Sequence, residues 1–149
     1  MMTSYEMPDE FEEKPRVLVF ACENDALPVF DMAAINRLKI NTSVRILPMR
    51  CLGGLNLVYI NDALSSGYDG IMLMGCSFGD DYQCHFVKGS ELANTRLGKV
   101  QETINRLNLE PERVRQFAIT MNDYEKLPKI IDDFVEELED FGPNPFKGM

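Results

Sequence analysis

The stretch Gly70-Ile71-Met72-Leu73-Met74-Gly75-Cys76 decides the fold of this chain. Its apolar centre has the length of a strand and shows no alternation of polar and apolar residues, which predicts a strand buried on both faces. Three similar runs occur elsewhere, separated by segments in which apolar residues recur at helical spacing. The four predicted strands cover residues 16–22, 44–51, 70–75 and 114–119. Strands that alternate with helices in this way predict a parallel sheet with right-handed crossovers.

The pattern therefore indicates an α/β fold, a small flavodoxin-like three-layer sandwich with helices on both faces of a four-stranded parallel sheet. We expect the strand order 2-1-3-4. Pro48 cannot donate a backbone hydrogen bond, which favours an edge position for the second strand. Six apolar side chains are expected to be buried in the core: Leu18, Phe20, Ile46, Ile71, Leu73 and Phe117.

The domain organisation follows from composition along the chain. Residues 1–15 are rich in Pro and Glu and bury little apolar surface, which predicts an acidic tail or linker. Residues 16–141 form the α/β domain, and a total length of 149 residues suits a single core. Residues 142–149 contain two prolines and are predicted to form an extended C-terminal tail.

Charge and hydropathy exclude several functional classes. The net charge of −9 argues against a nucleic-acid surface, which requires clustered Lys and Arg. No apolar run approaches the length of a membrane span, and no signal peptide opens the chain. We expect a cytoplasmic domain without a direct membrane span. Peripheral attachment to the cytoplasmic face of a membrane through other proteins stays compatible with this pattern.

The four cysteines carry the chemistry. Cys22 and Cys51 each end a predicted strand, Cys76 stands at the end of the third one, directly after residue 75, and Cys84 lies in the loop that follows. Parallel strands bring their carboxyl ends to one edge of the sheet, where sites form in this class of fold. A single buried cysteine is usually a small apolar residue, but three at the same topological position indicate a cluster of ligands.

Four thiolates suit an iron–sulfur cluster, and the two-iron form needs no more than four. Zinc binds the same ligands, or three thiolates and the imidazole of His85. Zinc ligands and redox dithiols usually come in Cys-x-x-Cys pairs, which this chain lacks. His85 either donates a hydrogen bond to a ligand sulfur or is an ordinary loop residue. For Asp25 we favour a role as the cap of the first helix over a place near the cluster.

Catalytic residues are not apparent. The chain has no nucleophile–base pair, no nucleotide-binding glycine motif and no paired catalytic acids. From the residues alone we therefore do not expect a stand-alone catalyst.

The motifs resemble the methyl-viologen-reducing hydrogenase delta subunit family over about residues 16–140. The resemblance rests on Cys22, Met49-Arg50-Cys51, Gly75-Cys76-x-x-Gly79-Asp80, Cys84-His85 and Glu112-Arg113-Val114. Residues 20–25 and 79–93 are also similar to the C-terminal domain of the second subunit of the quinone-interacting membrane-bound oxidoreductase complex. That subunit is related to heterodisulfide reductase.

The resemblance implies an electron-transfer module with one 2Fe-2S cluster on Cys22, Cys51, Cys76 and Cys84, and with His85 near a ligand sulfur. The implied partner is a heterodisulfide-reductase-like flavoprotein, and FAD belongs to that partner subunit or domain only. Contact with a membrane-bound quinone-interacting complex is implied to run through other subunits.

The chain departs from the hydrogenase subunits in two places. Ala21 and Asp25 stand where those subunits usually carry further cysteines, and residues 81–83 lengthen the second cysteine motif. Two alternatives therefore stay open: a subunit-docking domain that holds no cluster, and a structural zinc domain.

Overall fold

Strands and helices alternate along the part of the chain that the computed structural model describes, which is residues 14–76, 89–106 and 109–145. The strands are β1 (Val17–Cys22), β2 (Val44–Met49), β3 (Gly70–Gly75) and β4 (Val114–Ala118). The helices are α1 (Ala26–Ile35), α2 (Leu57–Ser65), α3 (Gly89–Arg106) and α4 (Leu127–Phe141). Short 3-10 turns cover Leu52–Gly54, Pro111–Arg113 and Met121–Asp123. None of these helices combines the length and apolar character that a bilayer crossing requires.

All neighbouring strands are parallel, and their order is β2-β1-β3-β4. This arrangement confirms the predicted fold class, sheet and strand order. Every residue of β3 is buried, because this strand lies between two neighbours and beneath helices on both faces. The continuous apolar run that predicted β3 is thus a direct consequence of its central position.

Two apolar clusters fill the space above and below the sheet. One joins β1 and β3 to α1 and α4, and the other joins the opposite face of the same strands to α2 and α3. Local sequence sets the helix ends: the Asn56 side chain accepts a hydrogen bond from the Val58 amide at 3.1 Å at the start of α2. Gly142, with φ of 82°, ends α4.

The prediction that six apolar side chains are buried is confirmed in full for three of them. Phe20, Ile71 and Leu73 are buried, and Leu18 and Phe117 are partly buried against the two clusters. Ile46 was expected inside the core, but 40% of it is exposed. The physical reason is that β2 pairs on one side only, as Pro48 predicted, and the helices leave its outer residues uncovered.

A polar network closes the amino edge of the sheet, at the end opposite to the cysteines. The buried Arg113 guanidinium donates to the backbone oxygens of Asp69 and Gly142, each at 2.9 Å. The Asp69 carboxylate accepts from the backbone amides of Arg16 and Asn144, each at 2.8 Å. The Asn144 side chain donates to two further backbone oxygens, those of Leu64 and Tyr68. Residues 142–145 are thereby fixed to the domain, whereas residues 1–13 and 146–149 lie outside the described part.

Candidate metal centre at the carboxyl edge of the sheet

Two thiols meet where β1 and β3 end. Cys22 is the last residue of β1, Cys76 directly follows β3, and their Sγ atoms lie 3.6 Å apart. A disulfide would require about 2.05 Å. Two thiolates bound to one tetrahedral ion with metal–sulfur distances of about 2.3 Å lie about 3.8 Å apart. The separation therefore suits two ligands of a single metal ion.

Hydrogen-bond donors surround this thiol pair. The Asn24 side-chain amide donates to Cys76 Sγ at 3.5 Å, and the backbone amide of Ala26, at the start of α1, donates to Cys22 Sγ at 3.5 Å. Donors of this kind stabilise the negative charge of a thiolate or of a cluster sulfur. The role of Asn24 was not predicted, although its position two residues after Cys22 is a usable signal.

Burial of the Cys22–Cys76 pair changes the pKa of the Cys76 thiol. Both thiols are 2% exposed, and this burial raises the pKa of Cys76 well above its ordinary value. The Asn24 hydrogen bond lowers the pKa of Cys76, whereas Cys22 and the Asp25 carboxyl, which hydrogen-bonds to the thiol, raise it further. Without a metal ion, the Cys76 thiol is therefore protonated at neutral pH.

Asp25 does not have the role that the sequence favoured. It stands at the N-cap position of α1, but its side chain makes no capping hydrogen bond. Its Oδ2 atom is buried and has no hydrogen-bond partner in the described part of the chain. The capping interpretation is thus wrong, because the side chain makes no hydrogen bond to the amides of the first helical turn.

Cys51 lies two residues beyond the end of β2, in the link to the 3-10 turn Leu52–Gly54. Its Sγ accepts a hydrogen bond from the Gly53 amide at 3.4 Å. The side chain is partly exposed and packs against the apolar cluster that contains Cys22 and Cys76. Within the described residues, however, no three Cys, His, Asp or Glu side chains are grouped closely enough to hold a metal ion.

Helix α3 holds in place Cys51 and the 3-10 turn Leu52–Gly54 that follows it, together called the Cys51 turn. Arg96 donates to the backbone oxygens of Gly53 and Leu55, the latter at 3.2 Å. A Cβ atom on Gly53 would lie 2.9 Å from the Cα atom of Gly89, so the turn and the first residue of α3 are in direct contact. The sequence carries no signal for this role of Arg96, which is 43 residues from Gly53.

An open groove passes Cys51 at this edge, between the end of β2, the Leu52–Gly54 turn and Gly89. The chain leaves the described part after Cys76 and re-enters it at Gly89, beside the groove. Cys84 and His85 fall in between and lie outside the described residues. Their predicted roles stay predictions.

The donor set fits a thiolate-bound metal group. Soft thiolates select iron–sulfur clusters and zinc over magnesium or calcium. The Cys22–Cys76 distance and the two N–H donors to sulfur are both compatible with a ligand pair of such a group. Cys51 is close enough in the fold to share the same apolar cluster.

Comparison with curated proteins gives two kinds of relative. The chain is 30% identical to a subunit of the ferredoxin:CoB-CoM heterodisulfide reductase of Methanosarcina mazei over 129 residues, which is 87% of this chain and 16% of that protein. A similar match, at 29% identity, is a subunit of the ferredoxin/F420H2-dependent CoB-CoM heterodisulfide reductase of Methanosarcina acetivorans. The chain thus spans about a sixth of the length of these relatives.

The second kind of relative has the length of this chain. An iron-sulfur subunit of the F420-non-reducing hydrogenase of Archaeoglobus profundus is 29% identical over 141 residues, which is 95% of this chain and 99% of that protein. The profile of the methyl-viologen-reducing hydrogenase delta subunit family matches residues 17–142, nearly all of the domain described above. The chain belongs to the methyl-viologen-reducing hydrogenase delta subunit family.

Proposed function

We propose that this chain is the electron-transfer module of a heterodisulfide-reductase-like or quinone-interacting oxidoreductase complex. In this proposal it holds one 2Fe-2S cluster on Cys22, Cys51, Cys76 and Cys84 and exchanges electrons with a flavoprotein that carries the FAD. The observation that supports it most directly is the buried Cys22–Cys76 pair, whose 3.6 Å separation suits two ligands of one metal ion. The relatives, which are subunits of hydrogenase and heterodisulfide reductase complexes, support a role inside a redox complex.

The buried thiol pair and the groups that donate to it each have a part in the proposal. When bound, the cluster supplies one-electron transfer at a potential that its surroundings set. Cys22 and Cys76 bind it from within an apolar cluster that limits access of water. The Asn24 and Ala26 N–H groups donate to the two sulfurs and favour added negative charge, and His85 is proposed to act in the same way. Attachment to a membrane complex on the cytoplasmic side is proposed to run through other subunits.

A second candidate is a subunit-docking domain that holds no cluster. It is favoured by one observation, the lack of three grouped metal-binding side chains within the described residues. Protein purified and reconstituted without oxygen separates the candidates. The electron-transfer module takes up about two iron and two sulfide ions per chain, absorbs visible light and becomes paramagnetic on reduction. A zinc domain is colourless with stoichiometric zinc, and a docking domain holds neither metal.

The Cys76→Ser variant tests the ligand assignment. We expect it to lose or shift the visible absorption and the paramagnetic signal, because the hydroxyl is a much poorer ligand than the thiolate. The fold should persist, since apolar burial stabilises a domain of this length. Ala33→Ser, which places a hydroxyl in the same apolar cluster away from the thiols, is the matched control and should keep both signals. Wild-type protein that stays colourless and iron-free after reconstitution would end the electron-transfer proposal.

A further inference from the structure

The segment that contains the edge strand β2 is basic, although the chain as a whole is acidic. Residues 32–61 contain no Asp or Glu, although the whole chain has 24 of them and a net charge of −9. The stretch has four cationic residues, all exposed: Arg37, Lys39, Arg45 and Arg50. The last two of these, Arg45 and Arg50, lie within β2 and directly after it.

Exposed apolar side chains concentrate on the same part of the chain. Of the six large apolar side chains that are exposed in the described residues, five fall between residues 35 and 59. These five are Ile35, Ile46, Leu47, Val58 and Tyr59, and the sixth is Leu92. Scattered single apolar residues are ordinary on a protein surface, whereas a concentration of them marks an interaction site.

The backbone of β2 limits how a partner can bind. The Val17 and Glu23 amides donate to the oxygens of Ser43 and Met49, so the odd-numbered residues of β2 turn their backbone groups toward β1. The even-numbered residues face the open side, but Pro48 has no N–H and the Val44 amide already bonds to Asn41. A partner strand could therefore gain few ladder hydrogen bonds, and contacts must come mainly from side chains.

We propose that a protein partner with an acidic, partly apolar surface docks on this edge surface, defined as Arg45, Ile46, Leu47 and Arg50 together with Val58 and Tyr59 of α2. The inference rests on the proposed function, in which the domain works bound to another subunit. Opposite charges would steer the two surfaces together, and burial of the apolar side chains would supply affinity. Cys51 directly follows Arg50. The docked partner would therefore lie beside the carboxyl edge of the sheet where Cys22, Cys51 and Cys76 lie, called the cysteine edge below.

A second copy of this chain or an anionic membrane on the edge surface would be less compatible with these observations. A second copy placed by two-fold symmetry would bring the Arg45 and Arg50 side chains of both copies into one interface, and it would gain few hydrogen bonds between the two β2 strands. An anionic membrane attracts clusters of Lys and Arg on a basic protein, whereas this chain carries a net charge of −9.

The test uses the full chain and, as probe, the heterodisulfide-reductase-like flavoprotein of the same organism without any domain homologous to this chain. We expect Arg45→Glu/Arg50→Glu to weaken binding at least about tenfold, with a wild-type affinity that falls as salt rises. Leu47→Ser/Tyr59→Ser should weaken binding by a similar factor and change the salt dependence less. The control Lys99→Glu/Lys129→Glu makes the same charge change at exposed sites on α3 and α4, and should change the affinity by less than about twofold.

Four results would overturn the inference. They are equal weakening by both charge-reversed pairs, no weakening by either edge variant, a wild-type dimer that Leu47→Ser dissociates, and binding to anionic phospholipid vesicles that Arg45→Glu/Arg50→Glu abolishes. In each of these cases the iron content of the reconstituted protein tests the proposed cluster independently of the docking surface. A fifth result, a wild-type chain that binds iron but not the flavoprotein, would overturn the docking surface and the proposed partner and leave the cluster proposal standing.

Discussion

At the scale of single residues, the thiols of the cysteine edge differ in accessibility. In metal-free protein we expect iodoacetamide to modify Cys51 well before Cys76, by a factor of at least about ten in rate. The physical reason is that Cys51 is partly exposed beside a groove, whereas Cys76 is buried and burial raises its pKa. Site-resolved mass spectrometry over time measures both rates, and unfolded protein, in which the rates should converge, is the control. Equal rates in the folded protein would contradict the described geometry.

Glu110 is a second residue with a testable environment. Partial burial raises the pKa of its carboxyl, but the hydrogen bond and charge of Arg113 outweigh this effect and leave the pKa below its ordinary value. A carboxyl of this kind stabilises the fold above its unfolded-state pKa and loses that contribution as the pH falls through its folded-state pKa.

We therefore expect Glu110→Gln to be slightly less stable than wild type at pH 7, and the difference to vanish once the pH lies below the folded-state pKa of Glu110. The effect should be small, because the Glu110 side chain is 40% exposed. Urea denaturation at several pH values measures it, with Glu112→Gln on the same 3-10 turn as the control. A stability difference that grows on acidification would refute the assigned interaction.

At the scale of elements, the contact between the Cys51 turn and α3 makes a sharp prediction about two adjacent glycines. Gly53→Ala should destabilise the protein by about 1–3 kcal/mol, because the new Cβ would lie 2.9 Å from the Gly89 backbone. Gly54→Ala should cost much less, since no atom of the described residues lies within 4 Å of its Cβ position. Thermal or urea unfolding of the two variants measures the difference. Equal stability of both variants would show that the turn can move away from α3.

The position of β2 in the sheet was predictable from sequence, whereas the exposure of its side chains was not. Pro48 predicted the edge position of β2 correctly, because a missing N–H is a property of the residue itself. The exposure of Ile46 was not predictable in the same way, since it depends on how far α1 and α2 extend over the edge strand. The Arg96 hydrogen bonds to the Cys51 turn also join distant segments, so only the folded chain displays them.

At the scale of the whole molecule, the polar network at the amino edge fixes the end of the described chain to the domain. Asn144→Ala should destabilise the protein by about 1–3 kcal/mol, because it removes the two hydrogen bonds that the buried Asn144 side chain donates to the backbone oxygens of Leu64 and Tyr68. Asn105→Ala, at an exposed site on α3, should have little effect. Urea denaturation compares the two, and a neutral Asn144→Ala would mean that the contacts do not hold the segment.

The two edges of the sheet were not equally predictable. The meeting of Cys22 and Cys76 follows from topology alone, since parallel strands bring their ends together once the βα alternation is recognised. No topological rule predicts the position of Asn144, because its hydrogen-bond acceptors lie 76 and 80 residues away in the sequence. Proline content indicated an extended segment, but an extended segment carries no signal of what it binds.

The separation of these two edges has a practical consequence for attaching the protein to a solid support. Asp69 and Cys76 flank β3 at opposite ends, so they stand about 23 Å apart along a buried strand. A linker joined after Asn144 would leave the molecule on the side away from the thiols. Immobilised through such a tether on an electrode or sensor chip, the domain would present the cysteine edge and its groove to the solution, accessible to reagents and partner proteins.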